Sequence, residues 1–63
     1  VTIAQNIRAL RERKRLLQRD CAKRAGVAQS TWCDWEAGKM SPRIDRLGAV
    51  AEVLGCTVAR LLA

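Results

Sequence analysis

Between Gln18 and Gly38 the chain reads as two short helices joined by a tight turn. Gln18 to Ala25 forms the first, Gly26-Val27-Ala28 the turn, and Gln29 to Ala37 the second. Gly26 suits the position just past a helix end, where the backbone turns left-handed and a Cβ is costly. Gly38 repeats that stop signal after the second helix. Ala22, Val27, Trp32 and Trp35 fall on one inner face, while Gln29, Ser30, Cys33 and Asp34 remain on the outer face of the second helix.

Two helices crossing steeply, with a polar outer face on the second, make a helix-turn-helix at residues 18–37. Such a unit can lay its second helix in the DNA major groove. The rest of the chain supplies helices around it. Residues 2–15 form a helix with Thr2 as N-cap. Its apolar stripe is Ile3, Ile7 and Leu10. The run from Arg11 to Arg15 reads first as a solvated helix end, where the macrodipole favours cations. In the connection Arg15-Leu16-Leu17, one of the two leucines must turn inward. A fourth helix runs from about Arg43 to Leu54, with Ile44, Leu47, Ala51 and Leu54 as its stripe and Val50 beside it. Gly55 ends it, and Thr57 caps a short fifth helix, Val58 to Leu62. The expectation is an all-α, five-helix domain spanning residues 1–63.

A chain of this length buries only about 60% of its unfolded surface and leaves little room for a catalytic cleft. It has no histidine, no tyrosine and no glycine-rich phosphate loop, so an enzyme is not expected. No cofactor and no metal are expected either. The three cysteines, Cys21, Cys33 and Cys56, form no CxxC pair, and their odd number argues against a closed disulfide framework. A reducing cytoplasm suits them. No long apolar run suggests membrane insertion. Residues 1–25 carry eight basic and two acidic side chains, whereas residues 26–63 carry four of each. A basic first half points to a polyanionic partner, nucleic acid ahead of a membrane surface. Trp32 and Trp35 admit two readings. They can stack on single-stranded bases, or they can fill the core at their i, i+3 spacing.

The chain resembles the lambda-repressor-like domains, the XRE-type regulators that include phage repressors and Cro proteins. The resemblance is carried by Ile7, Arg8, Leu10, Arg11, Gln18, Ala22, Gly26-Val27, Ser30-Thr31, Glu36, Gly38-Lys39, Pro42, Leu47, Ala51, Leu54-Gly55 and Leu61-Leu62, nearly the whole length. It implies an ion pair between Arg11 and Glu36, partly buried, that orients the second helix of the motif. It also implies that Gln18 bonds a DNA phosphate and braces the first residue of that helix, with Arg19 a looser candidate for the same backbone. Lys39 and Arg43, in the loop before the fourth helix, are implied phosphate ligands. Cys21 and Cys56 fall where the family is apolar, whereas Cys33 is expected to be exposed. Family members often carry glycine and serine or threonine where this chain has Arg15-Leu16-Leu17, and a serine or threonine where it has Ala28; both helix starts are therefore expected to be irregular. Trp32 is large for its place and is expected to be partly covered, with its indole N–H in need of a partner.

For base recognition, Gln29 stands first, since its amide can bond adenine N6 and N7 together. Ser30 is second. Asp34 can accept from cytosine N4, repel phosphates, or hold Lys39 or a water; Cys33 can touch a thymine methyl or do nothing. The implied function is a sequence-specific transcriptional regulator, a repressor in the first instance, that reads a double-stranded operator with residues 29–37 as a homodimer. The alternative is an antitoxin or another protein-binding member of the same fold, with a toxin or a polymerase as partner.

Overall fold

Thr2 starts the first helix reciprocally with Gln5. The Thr2 hydroxyl accepts from the Gln5 N–H at 3.1 Å, and Gln5 Oε1 accepts from the Thr2 N–H at 3.0 Å. Two donors that a helix start would otherwise leave unpaired are thereby satisfied. The computed structural model describes residues 2–63. It comprises α1 (Ile3–Arg13), α2 (Gln18–Ala25), α3 (Gln29–Ala37), α4 (Ile44–Leu54) and α5 (Val58–Leu62). The architecture is all-α, as the spacing predicts. The boundaries differ at two places. α1 stops at Arg13, short of Arg15, and Arg43 is the N-cap of α4 rather than its first turn.

One device ends four of the helices. A residue in the left-handed region follows the helix, and the next N–H reaches back to a carbonyl five residues earlier. Val27 N–H reaches the Ala22 carbonyl at 3.0 Å, Lys39 that of Asp34 at 3.0 Å, Cys56 that of Ala51 at 2.9 Å and Leu16 that of Arg11 at 3.1 Å. Three of these returning residues, Leu16, Val27 and Cys56, pack against the core. The stop thus fixes both the end of a helix and the point where the chain re-enters the interior. Leu16 is the inward leucine; Leu17 is 54% exposed.

At three of the four stops the left-handed residue is glycine; after α1 it is Arg15, at φ 57°. An L-residue there is strained by about 1–2 kcal/mol, part of which glycine's extra unfolded-state entropy would offset. Arg15→Gly is therefore expected to raise stability by about 0.5–1 kcal/mol. The readout is a higher urea midpoint at unchanged slope. A midpoint that stays put or falls would mean that the arginine side chain compensates for the strain.

α2 packs on α3 and α4, and α1 on α3 and α5. The core holds Ile7, Leu47, Val50, Leu54, Leu61 and both tryptophans, interleaved with the small residues Cys21, Ala22, Ala25 and Ala51. Those small side chains make room for the indoles. Trp32 is 0% exposed, which corrects the expectation of partial cover. The two rings meet in a tilted pair with centroids 5.6 Å apart, an arrangement aromatic quadrupoles favour. Ile44 departs from its stripe. It is 88% exposed, so among the described residues no element covers it. Asn6 ties α1 to the end of the chain, with Nδ2 donating to the Leu61 carbonyl at 2.8 Å.

Candidate nucleic-acid interface

α3 is nine residues long, or about 13 Å at the α-helical rise. A major groove about 12 Å wide accepts a helix, whose diameter with side chains is about 10–12 Å. Gln29 and Ser30 are exposed at its N-terminal end. Ala28 offers no side-chain acceptor there, and neither does Leu17 before α2 nor Arg43 before α4. α1 and α5, by contrast, each begin with a threonine cap. The open helix starts are positive ends with N–H groups available to an anion.

Hollows lie on either side of the start of α3. On one side Leu17, Gln18, Arg19 and Gln29 share a hollow, so the starts of α2 and α3 face the same space. On the other side Val27, Thr31 and Trp35 meet Met40, Arg43 and Arg46, which brings the start of α4 beside α3. A groove-bound α3 would therefore have a basic helix start on each flank, Arg19 on one and Arg43 on the other. Lys39 and Arg43 are exposed, and among the described residues neither forms an ion pair. Arg19 is exposed and lies 3.7 Å from Asp20, which offsets part of its charge. Asp34 is half-buried. Among the described residues its carboxylate has no ion-pair partner, Lys39 included, while its carbonyl receives the Lys39 N–H.

The orientation of α3 is fixed from below by Glu36. Its Oε2 accepts from Arg11 Nε at 2.5 Å and from Trp32 Nε1 at 2.6 Å. Its Oε1 accepts from Arg11 Nη2 and Gln18 Nε2, each at 3.0 Å. Arg11 also donates from Nη1 to the Leu16 carbonyl at 2.8 Å. One carboxylate thus joins α1, α2 and α3, and the same arginine holds the α1–α2 connection. The ion pair is well shielded, with the Arg11 and Glu36 side chains 14% and 5% exposed. The Trp32 contact is missing from the sequence reading, although Trp32 and Glu36 stand at i, i+4.

Gln18 lies at the start of α2, but its side chain turns to Glu36 and Cys33 rather than to Gln29. It braces α3 one to two turns deeper than the resemblance implies. Cys33 is correspondingly half-buried, with Sγ 3.0 Å from Gln18 Oε1. Cys21 is buried in the core, which pushes its thiol pKa up and leaves it a small hydrophobe.

Burial pushes the Glu36 carboxyl up, but hydrogen bonds from Arg11, Gln18 and Trp32, with the Arg11 charge, outweigh it. The net result lies below the ordinary 4.5. Arg11 is raised by its bond to Glu36, against burial. The folded state therefore binds fewer protons at Glu36 than the unfolded state as acid is added. The associated stability is complete above the unfolded value of 4.5 and is lost as pH falls through the lower, folded value. Urea titrations from neutral pH into acid should show this decline, and Glu36→Gln should show less of it. An equal acid decline in both proteins would remove Glu36 as its source.

The profile of the helix-turn-helix domain family matches residues 2–63. This chain belongs to that family. The helix-turn-helix domain is 32% identical over 62 residues to the immunity repressor protein of Bacillus phage phi105. That match covers 98% of this chain and 43% of the repressor, so the domain spans less than half the length of that relative. Among solved structures it is similar to the P22 c2 repressor in complex with synthetic operator 9T, with a TM-score of 0.92 and 27% identity over 98% of this chain and 94% of that one. The solution structure of the DNA-binding domain of the P22 c2 repressor gives a TM-score of 0.94 and 26% identity, over 97% of this chain and 80% of the other. The lambda-repressor-like kinship read from the sequence holds across the whole helix-turn-helix domain.

Proposed function

We propose that this helix-turn-helix domain is the operator-binding part of a bacterial or phage transcriptional regulator, a repressor in the first instance. The observation that carries the reading is the setting of α3. Its polar N-terminal end is uncapped and exposed, it lies between two basic helix starts, and a buried carboxylate locks it from below. The similarity to a repressor solved with its operator supports the same use of the fold. Gln29 and Ser30 read base edges, with Asp34 a candidate for a cytosine N4. Gln18, Lys39 and Arg43 hold phosphates and set the register, with Arg19 adding charge beside Gln18. Two copies act on a two-fold site with half-sites about one helical turn, or 34–36 Å, apart. With extents of 24 × 22 × 19 Å, two domains fit side by side at that spacing. Occupancy of the site in the cytoplasm would exclude polymerase.

Two substitutions measured together test the assignment of roles. Gln29→Ala should cost about 1–3 kcal/mol on the best duplex and relax preference at one base pair. Arg43→Ala should weaken all duplexes alike and make the salt dependence shallower by about one unit of slope. Uniform weakening by Gln29→Ala, or an unchanged slope with Arg43→Ala, would remove that residue from its role.

A further inference from the structure

Cys33 stands on the outer side of α3, one turn beyond Gln29 and Ser30, where a base-reading side chain is expected. Its sulfur is engaged elsewhere, donating to Gln18 Oε1 at 3.0 Å. The other end of the Gln18 amide, Nε2, donates to Glu36 Oε1 at 3.0 Å. Together these contacts decide which way the amide points. An ionised carboxylate only accepts, so the nitrogen must face Glu36. The oxygen then faces Cys33, and the thiol is a donor able to meet it. In the reverse orientation the amide oxygen would stand against the Glu36 carboxylate, with its nitrogen toward sulfur, a weak acceptor.

The orientation has a consequence at the surface. Nε2 carries two hydrogens. One goes to Glu36, and among the described residues the other has no partner. Gln18 also lines the hollow shared by Leu17, Arg19 and Gln29, at the open start of α2. We propose that Cys33 is a positioning residue of the DNA interface. Its thiol holds the Gln18 amide so that the second Nε2 hydrogen is presented to a backbone phosphate, and Cys33 reads no base itself. The proposal rests on the operator-binding reading and sharpens it. It moves Cys33 from the base-reading set to the support of a phosphate contact.

A phosphate contact carries no sequence information, and a neutral amide displaces no counterion by its own charge. The effect of Cys33 is therefore expected to be uniform across sequences and independent of salt. Binding is measured for the wild type, Cys33→Ala, Cys33→Ser, Gln18→Ala and the Cys33→Ala/Gln18→Ala double variant, after circular dichroism has shown each to be folded. The duplexes are the preferred site and its single-base variants. Cys33→Ala should weaken every duplex by a common factor of about ten, the lower end for a hydrogen bond to a charged group. Cys33→Ser, which keeps a donor, should restore most of it. In the Gln18→Ala background, Cys33→Ala should add almost nothing, because the two residues act through one contact.

A loss concentrated at one base pair would overturn the proposal and return Cys33 to base reading. Losses that multiply in the double variant, or no loss at all, would also overturn it. Wild-type protein that prefers no duplex would refute the operator-binding reading itself, and the wild-type arm keeps that outcome distinct.

Discussion

Glu36→Gln is expected to destabilise the domain by about 3–5 kcal/mol. The substitution preserves shape and removes one charge, so the loss comes from the network. Four donors from Arg11, Gln18 and Trp32 converge on two carboxylate oxygens. A glutamine presents an NH₂ group to one pair of them, and donor then faces donor. The Arg11 guanidinium, 14% exposed, is left without its counter-charge. Breaking one side of a buried pair costs more than the pair itself contributes, because the remaining ion stays desolvated. A domain of this length has roughly 3–9 kcal/mol of stability in all. The loss is therefore a large fraction of the whole, and a lower urea midpoint followed by circular dichroism measures it. A cost below about 1 kcal/mol would place the pair with solvent-exposed salt bridges and contradict the central position given to it.

Trp32→Ala should cost a similar amount, about 3–5 kcal/mol, by a different route. Trp32 has no exposed surface, and its removal opens a void against the Trp35 ring, whose centroid lies 5.6 Å from that of Trp32. The small core side chains Cys21, Ala22 and Ala25 lack the reach to fill such a space. Glu36 also loses one donor but keeps three. Trp32→Phe separates the two contributions, since it retains most of the volume and deletes the N–H. If chemical denaturation gave Trp32→Ala a cost near that of Trp32→Phe, Trp35 would have to collapse into the cavity, and the packing described for α3 would be incorrect.

The helices were legible because their ends are written in residues with few alternative uses. Thr2 and Thr57 start helices, and Gly26, Gly38 and Gly55 stop them. The stop after α1 was not visible in the same way, because the left-handed position is held by Arg15, a residue with no preference for it. Ile44 fits the apolar spacing of α4, yet periodicity specifies only which side a residue takes, not whether an element covers it. The burial of Trp32 depends on alanines and a cysteine elsewhere in the core, a tertiary match that spacing along one helix does not contain.

At the interface, the exposure of Gln29, Ser30, Lys39 and Arg43 follows from local pattern. The Gln18 side chain does not. Both Gln29 and Glu36 lie across the α2–α3 crossing, and a buried carboxylate with two oxygens is the stronger attractor for an amide N–H than a solvated glutamine. The half-burial of Cys33 follows from that choice. The ion pair of Arg11 with Glu36 came into view through kinship, since residues so distant in sequence share no helical face.

Selection of bound duplexes from a randomised pool, at low and at near-physiological salt, tests the reading of α3 most directly. The account predicts one palindromic motif at both salts, with half-site centres about 34–36 Å apart. It also predicts a base position whose preference disappears with Gln29→Ala. Binding without a motif that vanishes as salt rises would contradict it, because charge alone would then account for the affinity.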